Sequence, residues 1–401
     1  MIQVIQAIQK AKAAQSKFSE IDSAHRAQLL ERLTVQIELH QNEIISWESQ
    51  AVTGERGFYL EHSIRSSRLR IAEAIEQLQL ADEKCSPTGL VSIILPSVFG
   101  FRALIERLAP ALAAGNTVLV KISSKGMDWS QPFAKMLKEA GFEEGVVQLL
   151  YGSGAEIGAL MAAHPAVRAV SFAGRYSTAD SILRQPSLFQ KKLQFSKSGN
   201  NSAILIGESW SDQQLEILVQ SCFLGDGRLP WSTHKIFVLE SAVQGFYEKF
   251  GQLSEMYQPV SQQFEGKSIY FGQLEAIIKE GGKALANHKG VIRDLSHCSV
   301  YQQDELAGPI VLVSAVKYLH ESVKWANTGY LGMSNLILGD EDKALRLAQK
   351  LECGQVWINS WITPENGVVS GVKQSATGIM DFRVFGGFYS DRKKIVSTLS
   401  K

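Results

Sequence analysis

The sequence of 401 residues has only four cysteines, Cys85, Cys222, Cys298 and Cys353. They lie far apart, form no CxxC pair and have no histidine at metal-ligand spacing, so neither a disulfide framework nor a metal site is expected. Each reads as a reduced, buried or incidental thiol. Charge of one sign is also lacking: 41 Lys plus Arg stand against 40 Asp plus Glu. No global field therefore selects nucleic acid, an anionic membrane or an acidic substrate. No window approaches the roughly 18 consecutive apolar residues of a membrane span. The start, "MIQVIQAIQKAKAAQ", has no secretory pattern, because Lys10 and Lys12 interrupt any apolar run. Repeats and low-complexity tracts are absent too. These absences predict a cytoplasmic protein whose partners are small molecules or proteins, with no nucleic acid and no membrane.

What is present is an ordinary globular composition, 45% hydrophobic and 20% charged, on a chain too long for one core. Two domains are expected. The first 80 residues carry apolar positions at helical spacing, as in "AHRAQLLERLTVQIELHQNEIISWESQAV". The period then changes. "GLVSIILP" (89–96), "NTVLVKIS" (116–123), "GVVQLLYG" (145–152) and "VRAVSFAG" (167–174) are short strand-like runs, each followed by a helical pattern. Strands apolar along their whole length, alternating with helices, imply a parallel sheet covered on both faces, a doubly wound domain of nucleotide-binding type. A second series follows residue 198, from "SAILIG" through "KIFVLE", "GPIVLVSA" and "MSNLILG" to "GQVWIN". The expected boundary lies near "FSKSGNNS" (195–202), giving domains at 1–197 and 198–376, with 377–401 returning to the first.

The turn "GDGRLPWSTHK" (225–235) sits between a helical pattern and a strand, a common place to present a reactive side chain. Its hydroxyls, Ser232 and Thr233, have no identified base. Cys222 lies eight residues before Pro230, within the preceding helix.

"LAPALAAGNTVLVKIS" (108–123), "GVVQLLYGSGAEIGALMAAHPAVRAVSFAG" (145–174), "ELAGPIVLV" (305–313), "ALRLAQKLECGQVWIN" (344–359) and "GVKQS" (371–375) occur in one order. Together they resemble the aldehyde dehydrogenase superfamily over nearly the whole chain. The resemblance implies two doubly wound parallel-sheet domains with a cleft between them. It also implies an NAD- or NADP-dependent oxidation of aldehydes through a cysteine thiolate, a thiohemiacetal, hydride transfer and thioester hydrolysis. That chemistry needs a nucleophile, a carboxylate base and oxyanion donors.

All three are replaced. Pro230 stands at the nucleophile's place in the G-Q-x-C turn. Ser196 stands at the base's place in "SKSGNN", and Val98 at the side-chain oxyanion donor's place in "PSVFG". Catalytic residues of the family type are therefore none.

For the cofactor, the resemblance assigns Lys121 to the adenosine ribose, Glu305 to the nicotinamide ribose, and Gly154 and Gly158 to the adenine side. Ser124, beside Lys125, takes the position of an NAD-selecting glutamate and suits a 2′-phosphate, so NADP fits at least as well as NAD. In "FAGRYSTA" (172–179), which opens with Phe172, Gly174 is kept but Arg175 and Ala179 replace a small residue and a glycine. Arg175 either clamps a phosphate or occupies its place. Family members also carry an oligomerisation hairpin between the early helices and the first cofactor strand. Here it is reduced or missing, which leaves the tail "DRKKIVSTLSK" (391–401) without that partner and predicts a monomer or dimer rather than a tetramer.

Three readings stand at this stage. One is a pseudoenzyme with a small-molecule ligand. Another is an active oxidoreductase with a displaced nucleophile or direct hydride transfer. The last is a non-catalytic scaffold whose cleft Arg175 closes.

Overall fold

The computed structural model describes residues 2–50, 56–79, 85–124, 128–257, 266–286, 288–361 and 370–394. Lys125 lies outside them, as do residues 80–84 and the tail beyond 394. Among the described residues, the chain forms two compact units, one holding residues up to 195 and from 377 onward, the other 196–376.

The sheet of the first unit runs in the order Ala376–Gly378, Lys192–Lys197, Ala169–Gly174, Val91–Ile94, Val118–Ser123, Val147–Gly152. The last four strands are parallel. Leu119, Val170 and Phe172 pack on one face against Val4, Ala7, Ile8 and Ala11 of the helix Ile2–Glu20. Those helical positions recur at three-to-four spacing, which turns one stripe toward the sheet. The intervening strand residues Val118, Val120 and Ala169 are fully buried as well, so the opposite face is also covered. That is why these strands read as continuous apolar runs. The helix Gly100–Ala113 is buried along its entire length.

The second unit has seven strands in the order Gln355–Ile358, Ser334–Leu338, Asn201–Leu205, Thr233–Leu239, Val311–Val316, His288–Arg293, Lys283–Leu285. All neighbours are parallel except the last pair. Ile204, Phe237, Val316 and Ile337 form one cluster with Ala344 and Leu351.

The described start of the tail is paired within its own chain. Ser390–Arg392 pairs antiparallel with Cys85–Pro87, in the register Cys85 to Arg392. The residues just before it are also held within the unit. Asn116 Nδ2 donates to the Tyr389 carbonyl at 2.8 Å, and Lys192 Nζ donates to the Ser390 carbonyl at 2.7 Å. Backbone groups that need partners find them inside the chain.

Candidate active site

In the first unit, chain order and sheet order disagree at one point. The chain runs from Val91–Ile94 through Val118–Ser123 to Val147–Gly152, then crosses to the other side of its first strand with Ala169–Gly174. Ligands in open α/β sheets bind at the carboxyl ends of the strands, beside such a reversal. Because the four strands are parallel, that edge collects Val98, Lys121, Ser124, Gly154, Gly158, Gly174 and Arg175. The ammonium of buried Lys121 lies 3.7 Å from where a Cβ would stand on Gly154. The lysine and the glycine turn are thus adjacent. Gly158 packs against Ile94, 3.8 Å from its would-be Cβ. Ser124 is exposed, and its carbonyl accepts from the Tyr151 hydroxyl at 3.3 Å.

Phe172 belongs to the packing around this edge. Its ring stacks on Phe195 at 5.2 Å, inside the core, and lies 2.8 Å from where a Cβ would stand on Gly174. Arg175 precedes the helix Tyr176–Leu183 and makes no side-chain cap. Ala179 is fully buried and donates its amide to the Arg175 carbonyl at 3.1 Å. Val98 is half-buried, just before Phe99, whose backbone is left-handed at φ 50°.

In the second unit the turn at Pro230 and the loop carrying Glu305 precede the parallel strands Thr233–Leu239 and Val311–Val316. Gly225, Asp226 and Gly227 are successively left-handed, at φ 65°, 58° and 61°. Gly227 is required, since a Cβ would meet the Pro309 Cα at 2.8 Å and the Cys222 carbonyl at 2.9 Å. The turn that follows is pinned by Asn201. Its Nδ2 donates to the carbonyls of Pro230 (2.9 Å) and Ser232 (2.7 Å), and its Oδ1 accepts from Ser334 N at 3.0 Å. Neighbouring Asn200 donates to the carbonyls of Tyr301 (3.1 Å) and Asp304 (2.7 Å), fixing the loop that carries Glu305. Gln273 brackets that loop, donating to the Glu305 carbonyl at 3.0 Å and accepting from Ala307 N at 2.8 Å. Ser196 is the fifth residue of its strand and is buried.

The hydroxyls of the turn are committed. Ser232 Oγ accepts from Leu229 N at 3.2 Å, and Thr233 Oγ1 accepts from Ser221 Oγ at 3.0 Å, with both residues buried. Cys222 is fully buried, and burial pushes its thiol far above the ordinary range, the opposite of an activated thiolate. The next strand brings His234, whose Nδ1 lies 2.9 Å from the Ile310 carbonyl; burial pushes it down to about 4. Lys235 donates to the Gln302 carbonyl at 3.1 Å, and burial, then nearby Lys373, pushes it down to about 7. Asn200, Asn201, Gln273 and Lys235 carry no weight in the sequence reading. Paired asparagines after a glycine were its only visible signal.

No group of three or more His, Cys, Asp or Glu among the described residues could hold a metal ion, and no described helix is long and apolar enough to cross a membrane.

The chain is similar to known proteins along its length. The 2-aminomuconic semialdehyde dehydrogenase of Bos taurus is 26% identical, covering 97% of this chain and 89% of that protein; its Homo sapiens counterpart is 28% identical over 77% and 70%. Among solved structures, a mutant of aldehyde dehydrogenase C from Pseudomonas syringae, complexed with NAD+ and octanal, superposes with a TM-score of 0.87 at 21% identity, covering 99% and 90%. An NAD+ complex of aldehyde dehydrogenase from Bacillus cereus gives 0.85 at 22%, covering 97% and 87%. The sequence pattern of the aldehyde dehydrogenase family matches residues 2–395. With both parallel sheets in place and the match spanning nearly every residue, the chain belongs to the aldehyde dehydrogenase family.

Proposed function

We propose that this chain is a family member that does not run thiol-dependent aldehyde oxidation and instead uses its inherited site to bind small molecules, a dinucleotide among them. The observation that carries the reading is the turn at Pro230. Asn201 fixes its carbonyls, its hydroxyls are engaged, and the preceding thiol of Cys222 is buried in a helix. A serine at position 196 supplies no carboxylate to activate water, and Val98 supplies no side-chain donor for an oxyanion.

The adenosine side of a dinucleotide suits the residues present. Lys121, Gly154 and exposed Ser124 would hold it, with NADP fitting at least as well as NAD. The pyrophosphate side fits less well, because Arg175 and Ala179 stand where small residues let a phosphate approach the helix. When bound, the dinucleotide would supply a hydride acceptor or donor. The chain's own residues would bind and orient it.

A monomer or dimer in the cytoplasm completes the reading, supported by the pairing of Ser390–Arg392 within its own chain. Titration calorimetry with NAD, NADH, NADP and NADPH, run beside an aldehyde oxidation assay and light scattering, tests it. Binding without turnover is expected. Turnover by the unaltered protein overturns the proposal, and a tetramer at micromolar concentration removes its assembly part.

A further inference from the structure

Two neighbouring lysines in the first unit meet opposite surroundings. Lys192 opens the strand Lys192–Lys197, and its Nζ donates to Thr88 Oγ1 at 3.1 Å, the Gly387 carbonyl at 3.1 Å and the Ser390 carbonyl at 2.7 Å. Asp391 Oδ1 lies 2.7 Å from the same nitrogen. All three ammonium donors are engaged and the charge is paired. Lys191, one residue earlier, has only two acceptors. Its Nζ donates to the His164 carbonyl at 2.5 Å and to the Val167 carbonyl at 3.0 Å, and among the described residues no carboxylate pairs with it.

Two acceptors match the neutral amine. An uncharged lysine amine carries two N–H bonds, which the two carbonyls accept, and its lone pair then points away from both. Lys191 is half-buried, so part of the side chain still reaches solvent. Burial lowers the group to about 8, which makes the amine a substantial fraction near neutrality. The charge around it is positive. Lys12, on the helix Ile2–Glu20, and Arg168, next after Val167, are exposed and have no acid partner among the described residues. Burial lowers His164, and Lys191 and Lys12 lower it further, so both lysines act on one imidazole. Such a cluster draws an incoming anion toward Lys191.

We propose that Lys191 is a site of acyl modification that takes its acyl group from an acyl phosphate. This goes beyond the binding of dinucleotides and does not depend on it. The Lys191 Nζ lone pair attacks the acyl carbon, forming the amide N–C bond while the bond from that carbon to the phosphate oxygen breaks. Phosphate leaves with the electron pair and takes up the proton that the amine releases, so the products are an acyl-lysine and hydrogen phosphate. Lys12 and Arg168 attract the dianionic donor and its leaving group. The acylated nitrogen keeps a single N–H. One carbonyl of the loop 164–167, which leads into Ala169–Gly174, thereby loses its donor.

The test is incubation of the full chain with acetyl phosphate, with peptide mass mapping of the rate at each lysine from about pH 7 to about pH 10. An uncharged donor, the N-hydroxysuccinimide ester of acetic acid, forms a parallel arm. At about pH 7.5, Lys191 should be acetylated about tenfold or more faster than Lys192 and than exposed Lys289. Its rate should level off above about 8, where the amine is already neutral, while an ordinary lysine keeps gaining up to about 10. Lys12→Glu, on an exposed helix position, puts a carboxylate into the cluster. It should slow Lys191 several-fold with acetyl phosphate and less with the uncharged ester, leaving Lys192 unchanged. Lys191 reacting no faster than Lys289, or a rate that still rises tenfold per pH unit above about 8, overturns the site. An equal preference for Lys191 from both donors, or equal slowing of both by Lys12→Glu, overturns the acyl-phosphate assignment.

Discussion

Asn201 holds Pro230 by its carbonyl, at 2.9 Å, and with it the turn that leads into the strand Thr233–Leu239. A side chain in one segment thereby fixes the backbone of another 29 residues on. The same amide donates to Ser232 and accepts from Ser334, so one buried residue joins three segments. The turn has a fixed backbone and offers no thiol at position 230.

Asn201→Ala should cost about 3 kcal/mol, because it removes three hydrogen bonds and strands buried backbone groups. Gly199→Ala should cost about 2 kcal/mol or more by overpacking, since a Cβ would meet the Met333 Cβ at 2.7 Å and Asn201 Oδ1 closer still. Urea unfolding at constant m-value measures both. A change within about 0.5 kcal/mol for either would show that the clasp contributes little.

On the proposed reading, thiol chemistry takes substitutions at all three positions. Pro230→Cys with Ser196→Glu should remain about a hundredfold or more slower than the same pair combined with Val98→Asn, because one oxyanion donor is worth that much. Single-turnover formation of NADPH or NADH with a saturating aldehyde gives the comparison. Equal rates would show that position 98 does not face the oxyanion.

Lys121 stands beside Gly154 on the carboxyl edge of the first sheet. Lys121→Met should therefore weaken dinucleotide binding by about tenfold, the value of one charge-assisted hydrogen bond to the ribose. Calorimetry on the variant decides it. Unchanged affinity would move the adenosine elsewhere.

Two buried groups make stability depend on pH in opposite directions. Glu48 is raised by burial from its ordinary 4.5 to about 7, so between those values the folded state binds more protons than the unfolded state. Its contribution is fully present below 4.5 and is lost as pH rises through about 7, and Glu48→Gln should gain on the unaltered protein across that window. Lys235 is lowered by burial, then by Lys373, from 10.5 to about 7, so the unfolded state binds more protons between them. The unaltered protein should gain on Lys235→Met as pH rises across that second window. Chemical unfolding of each pair at several pH values measures both slopes; flat differences would mean that water reaches these groups.

Much of the fold was legible in the sequence, because a strand buried on both faces has to be apolar throughout, as "VLVKIS" largely is, and a covering helix has to repeat at three to four. The places of Lys121, Gly154 and Pro230 were legible too, since glycine-flanked strand ends leave a local pattern. The Asn201 clasp, the Gln273 brace and the pairing of Cys85–Pro87 with Ser390–Arg392 were not. Each joins residues tens to hundreds of positions apart, and hydrogen-bond partners at that distance leave no periodic trace in the chain. Sequence alone determined which chemical groups are available, and so that no thiol stands at position 230. Tertiary structure decided how they are used: it engaged the remaining hydroxyls, raised the carboxyl of Glu48, lowered Lys235 and gave neighbouring Lys191 and Lys192 opposite surroundings. Burial and charge proximity are properties of the folded interior, and they exist only once distant segments exclude water together.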